Sequence, residues 1–198
     1  KDVEKALEFT DIALSESKDE SIILELRIKK ATYLRKNNKN EEAFEILNNL
    51  PKTSLSLTVE YELFLIHMDS DHCDDAINIG VEDSLFVRME NDPKVSMGAL
   101  SELAFNIAAC YKHKGEVLYN EIIDYLGIEG QDNESTNLHI DKGEKSKEYY
   151  SSAKDYFRLS LDYDENPSES TKAYKKEMRK NIRKIDEQIT PVLESLLK

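Results

Sequence analysis

The densest concentration of side chains able to do chemistry is the run HMDSDHCDD, residues 67–75. His67, Asp69, Asp71, His72, Cys73, Asp74 and Asp75 offer nitrogen, oxygen and sulfur donors of the kinds that hold metal ions. The run lacks the glycine and closing glutamate of a calcium loop, and it lacks the paired cysteines of structural zinc. A short turn carrying helix caps is the plainer reading, so no metal and no cofactor is assigned. His113 stands between Lys112 and Lys114, and His139 lies near Asp141. Neither accompanies a serine or cysteine motif, so nucleophilic catalysis has no support. Gly127 and Gly130 form no phosphate loop. These residues give no reason to expect an enzyme.

The elements around them read as helices. Six Gly and four Pro in 198 residues leave few breakers, and 34% charged with 39% hydrophobic residues suits amphipathic helices with solvated outer faces. Val3, Ala6, Leu7, Thr10, Ala13 and Leu14 fall on one face of a first helix. Ser17 and Glu20 fit a capping box for a second helix, which carries Ile23, Leu24, Leu26, Ile28, Ala31 and Leu34. The run NNKN ends it, because Asn tolerates the left-handed conformation. Asn40 is the expected cap of a third helix, Pro51 its stop, and Asp71 the expected cap of a fifth. Asp92-Pro93 reads as a helix start. Residues 129–145 read as a polar loop, and a seventh helix is expected from about Ser146 to Tyr163. Asn166-Pro167 opens a long final helix, which Pro191 ends or kinks.

A formal net charge of −13 disfavours nucleic acid and anionic membrane surfaces as partners. No apolar run reaches membrane-spanning length, so direct insertion is not expected. Cys73 and Cys110 read as small semi-buried hydrophobes rather than as a bridged pair. The chain starts at Lys1 rather than Met. The compartment is therefore left open between the cytoplasm and, if a leader preceded Lys1, the cell envelope or exterior.

An alanine recurs where the second helix of each pair opens: Ala6, Ala43, Ala76 and Ala153. Ala6 to Ala43 is 37 residues and Ala43 to Ala76 is 33, bracketing a 34-residue period. Asn106, Ile107, Ala108, Tyr111 and Gly115, followed by Ala153, Phe157, Leu161 and Asp164, make the fullest copy. Ala31, Leu34, Asn38, Ala43 and Leu47 make a second. Leu63, Phe64, His67 and Ala76 make a third. On these residues the chain resembles the tetratricopeptide repeat family, in a degenerate form without Trp and with 33 extra residues, 116–148, after Gly115.

The resemblance implies an all-α fold over residues 1–198 as a single domain. It would be a right-handed superhelix of antiparallel helix pairs, with a capping helix at about 168–190. A non-repeating helical bundle is the alternative. The resemblance also implies a concave groove for a protein or peptide, lined by Glu25, Ile28, Thr32, Arg35, Tyr61, Leu65, Met68, Glu102, Phe105, Ala109 and Lys112. Ile28 and Thr32 stand where some relatives place a carboxylate clamp, which argues against a chaperone-tail ligand.

A second surface is suggested by the basic run Lys172, Lys176, Arg179, Lys180 and Arg183. Ser168–Lys198 holds eight basic and five acidic side chains, a net +3, which leaves −16 for the rest. It reads as a docking face for an acidic partner, or as a solvated face paired locally to Glu177 and Asp186. Tyr149, Tyr150, Tyr156, Tyr163 and Tyr174 are expected to pack in the helix seam with wet hydroxyls. Two other roles stay open: a structural subunit or receptor-associated helical domain in a larger assembly, and a metal-binding protein using residues 67–75.

Overall fold

The computed structural model describes residues 2–51, 56–126, 133–163 and 169–196. Helices carry the fold, and no strand occurs among the described residues. The chain divides into two compact units, Lys1–Leu85 and Phe86–Lys198.

In the first unit α1 (Asp2–Glu16), α2 (Glu20–Lys36), α3 (Asn40–Asn48), α4 (Leu57–Asp69) and α5 (Cys73–Ile77) pack each on the next. A π-helical turn, Asn78–Glu82, extends α5. The predicted stripe of α1 faces inward: Thr10 is buried, and Val3, Ala6, Leu7, Ala13 and Leu14 are half-buried. Ala31, Leu34, Ala43, Leu47, Leu50, Val59 and Ile66 form the core, with Leu7, Leu24, Ile28, Phe44, Ile46 and Leu63 packed around it. Ala43 and Ala76 are both fully buried, as a close helix approach requires.

Two turns in this unit share one geometry. Asn38 (φ 59°) closes α2 in the left-handed region, as the NNKN run predicts, and Asp71 (φ 58°) closes α4 in the same way. After α2, the Lys39 N–H donates to the Leu34 carbonyl (3.0 Å) and the Asn38 N–H to that of Arg35 (2.9 Å). After α4, the His72 N–H donates to the His67 carbonyl (2.9 Å) and the Asp71 N–H to that of Met68 (3.1 Å). This paired pattern satisfies the last carbonyls of each helix and reverses the chain. Positions 38 and 71 are 33 residues apart, the same offset as Ala43 and Ala76.

Several caps differ from the expectations. Asp19, not Ser17, caps α2, accepting from the Ser21 (2.9 Å) and Ile22 (3.5 Å) N–H groups. Those bonds, the Ser21 hydroxyl first, hold its carboxyl below the usual range. Asn40 begins α3 but gives it no cap, since its amide Nδ2 donates to Ser70 Oγ at 3.1 Å. Asp71 is spent on the left-handed turn, so α5 starts after His72 without a side-chain cap.

In the second unit α6 (Leu85–Glu90) reaches in from Leu85, and Phe86 meets Tyr156 and Tyr163 edge-on. Asp92-Pro93 makes a turn and not a helix start: Asp92 accepts from the Lys94 N–H (2.9 Å), and Ser96 accepts from the Ala99 N–H (3.2 Å) ahead of the next helix. That helix, α7 (Met97–Leu126), and α8 (Asn133–Asp162) each run 30 residues, about 45 Å at 1.5 Å per residue.

The predicted polar loop is therefore corrected from residue 133 onward; residues 129–132 lie outside the described ones. The register shows why. Ser101 meets Ser160, Phe105 meets Phe157, Ser146 Oγ donates to the Gly115 carbonyl (2.9 Å), Lys142 pairs with Glu121 (2.7 Å) and Tyr125 stacks on His139. One antiparallel register runs through all five contacts, so residues 116–126 and 133–148 lengthen the hairpin instead of interrupting it. Gly143, Ser146, Tyr150, Ala153, Phe157 and Ser160 are all buried, at alternating spacings of three and four.

Beyond α8, α9 (Glu169–Lys184) leads through a π-helical turn, Ile185–Ile189, into α10 (Thr190–Leu196). Pro191 therefore does not end the helix. The turn widens just before the residue that lacks an N–H, a common way to absorb such a loss. Ile185 and Leu193 bury against Ala108, Ile122, Tyr150, Ala153 and Phe157. The expected cap at Asn166-Pro167 lies outside the described residues.

Candidate functional site

The first unit concentrates its polar chemistry where α2 and α4 end. Arg35 reaches from the last turn of α2 to Glu62 (3.0 Å) and Asp69 (3.0 Å) on α4, with Arg35 and Glu62 side chains 14% and 12% exposed. Burial pulls the guanidinium pKa down, but the hydrogen bond it donates to Asp69 and the charge of Glu62 more than offset it, so the net shift is upward. Arg35 is thus a clamp between helices, and its charge is already matched.

Beside it opens a pocket of about 870 Å³ lined by residues that include Asn38, Asn40, Phe44, His67, His72 and Asp75. His67 packs edge-on against Phe44 (5.5 Å between ring centroids), and its Nδ1 lies 3.6 Å from Asp75 Oδ2. Burial lowers the His67 pKa; Asp75 opposes that shift and His72 adds to it. Of the seven donors in the 67–75 run, the fold gathers three: His67, His72 and Asp75 place one donor atom each within 4.8 Å of one another. Asp69 turns to Arg35, Asp71 makes the turn, and Cys73 is half-buried beside them. No disulfide joins Cys73 and Cys110.

The predicted groove residues fall in both units. On α2, Glu25 is exposed, while Ile28 packs on the core and its carbonyl accepts the Thr32 hydroxyl (3.1 Å). On α4, Tyr61 is half-buried and stacked on Phe64, Met68 is half-buried, and Leu65 is buried at 7% exposure. Leu65 thus offers a ligand almost no surface. On α7, Glu102 is exposed and Ala109 half-buried; Phe105 packs on Phe157 (5.6 Å) and Lys112 pairs with Glu116 (3.1 Å). Phe105 therefore supports the second core, and its loss would be felt as destabilisation.

Lys172, Lys176, Arg179, Lys180 and Arg183 are all exposed on α9. Lys180 pairs with Glu177 (3.6 Å) and Arg183 with Glu187 (4.0 Å). Asp186 turns instead to Lys154 of α8 at 2.8 Å, so it does not neutralise the basic run. Lys184 pairs with Glu116 (3.4 Å). The tyrosines divide. Tyr149 carries Lys114 over its ring (4.9 Å), and Tyr156 stacks on Tyr111. Tyr163 donates to Glu90, and its pKa is raised to about 12, first by burial and then by that bond. Tyr150 is 1% exposed, and its hydroxyl is buried without a protein hydrogen-bond partner. The side chain of Tyr174 lies outside the described residues.

The left-handed turn at Asp71 and the gathered triad were the features that sequence reasoning missed. Asp71 could have been found by setting the NNKN turn against the residues 33 positions later. No helix of the described residues is long and apolar enough to cross a membrane. Comparison with family models, with curated proteins and with solved structures finds no match.

Proposed function

We propose that the chain is a non-enzymatic binding module of tetratricopeptide-like construction that holds a peptide or protein segment against the first helices of its hairpins. The observation that carries this reading is the repeated closure of α2 and α4. Each ends in the same left-handed turn, 33 residues apart, and each turn leads within five residues to a fully buried alanine. Repetition at that period is what stacked helix pairs require, since one pair cannot bury its own apolar face.

On this reading the side chains that meet a guest in the first unit are the exposed Glu25 and the half-buried Thr32, Tyr61 and Met68. An aromatic and a thioether supply contact area, and a carboxylate sets polarity. On the same reading Arg35, expected to line the groove, positions the two helices through Glu62 and Asp69. The test is selection of peptides on the intact chain, followed by binding to the Tyr61→Ala/Met68→Ala variant. Binding should fall at least about tenfold, or 1.4 kcal/mol, while circular dichroism is retained. Peptides that bind both proteins equally would remove the surface from consideration.

A further inference from the structure

We propose that His67, His72 and Asp75 form a binding site for one divalent transition-metal ion of the zinc class. The donor set is the first argument. Two imidazole nitrogens and one carboxylate oxygen suit Zn²⁺ and its neighbours, whereas Ca²⁺ and Mg²⁺ favour all-oxygen sets. Geometry is the second. Around tetrahedral Zn²⁺, with bonds of about 2.0–2.1 Å, donors stand roughly 3.3–3.4 Å apart. His67 Nδ1 and Asp75 Oδ2 already stand at 3.6 Å, and the widest separation among the three donors is within 4.8 Å. His72 and Asp75 are both exposed, which leaves their side chains room to rotate toward an ion.

The backbone that presents these groups is fixed. The left-handed Asp71 and the bond from the His72 N–H to the His67 carbonyl (2.9 Å) bring His72 back beside the last turn of α4. Asp75 follows three residues later, on the same side of the next helical turn. The edge contact with Phe44 restrains the His67 ring. The wall of the adjoining pocket supplies further acceptors: Glu41 and Glu45 line it, and Asn40 Oδ1 is buried there without a hydrogen-bond partner. Three protein donors beside an open pocket leave a fourth position for water or for a donor brought by a guest. The spacing His-x₄-His-x₂-Asp matches no familiar zinc pattern, which is why the run reads from sequence as a turn. The site stands independently of the peptide-binding reading.

The test uses the full 198-residue chain without a polyhistidine tag. It is stripped with a chelator and titrated with Zn²⁺ against a chromophoric competitor, with Co²⁺ as the spectroscopic probe. The expected result is one ion per chain, a visible Co²⁺ absorption of four-coordinate intensity, and affinity weakened at least tenfold in His72→Gln and in Asp75→Asn. Cys73→Ser should bind as the parent does. The two weakened variants alter exposed side chains, and circular dichroism verifies their fold. Absence of saturable uptake, uptake unchanged in both variants, loss of uptake in Cys73→Ser, or equal competition by Mg²⁺ would each overturn the proposal.

Discussion

Gly115→Ala should change the sign of its effect with the residue opposite it. Gly115 lies inside α7, where alanine is normally favoured over glycine by about 1 kcal/mol. Here a Cβ would stand 3.2 Å from three ring carbons of Tyr150, closer than carbon atoms normally pack. The ring cannot withdraw: Tyr150 is 1% exposed and sits within the second core. The helices cannot easily part either, because the buried Ser146 hydroxyl bonds to the Gly115 carbonyl at 2.9 Å. Overpacking of this kind costs about 1–3 kcal/mol. Set against the propensity gain, the net is a loss of roughly 1 kcal/mol. In a Tyr150→Leu background the clash is gone, and the same substitution should stabilise by about 1 kcal/mol. Urea unfolding of the four proteins in this cycle measures both effects and their coupling, expected at about 2 kcal/mol. If Gly115→Ala stabilises both backgrounds equally, the close approach of α7 and α8 at this point is not as described.

Three further outcomes follow from the same packing. Ser101 and Ser160 exchange buried hydroxyl-to-carbonyl bonds (Ser101 Oγ to the Ser160 carbonyl at 2.8 Å, the reverse at 2.6 Å), so Ser101→Ala should cost about 1–2 kcal/mol and the double alanine variant less than the two single costs together, as a denaturation cycle would reveal. Tyr150 burial raises its pKa above the unfolded value near 10, so its contribution is fully present below pH 10 and is lost as pH rises toward the folded value; Tyr150→Phe should flatten that alkaline fall in stability. Arg35→Ala strands Glu62 at 12% exposure and should cost about 2–3 kcal/mol, read as a lower urea midpoint, whereas Lys180→Ala, on an exposed pair, should shift it by under about 0.5 kcal/mol.

The helices of the first unit were legible because their apolar residues recur at helical spacing: every residue assigned to the inner face of α1 is buried or half-buried. The NNKN turn was legible because Asn is chemically suited to the left-handed region. Asp71 was not, since the same residue type is also a common helix cap and the local sequence does not choose between the two. The lower part of α8 was hidden for a different reason. Its seam there is made by Gly143 and Ser146, which carry little hydrophobic signal, although their spacing continues that of Tyr150, Ala153 and Phe157. The triad escaped notice because seven donors in nine residues give no hint which three will converge. That depends on the turn at Asp71 and on Arg35 drawing Asp69 away. Among the groove residues, exposure at Glu25 and burial at Leu65 are decided by neighbouring helices, which helical periodicity alone cannot resolve.

On the proposed reading the faces of α2 and α4 hold a peptide. That reading is tested most directly by fluorescence anisotropy of a library-selected peptide titrated with the intact chain and with Tyr61→Ala/Met68→Ala. Saturable binding is expected, with a dissociation constant on the order of micromolar, that weakens at least about tenfold in the variant while its thermal unfolding midpoint stays within about 5 °C of the parent. Failure of any selected peptide to bind saturably, or equal binding by both proteins, would contradict it.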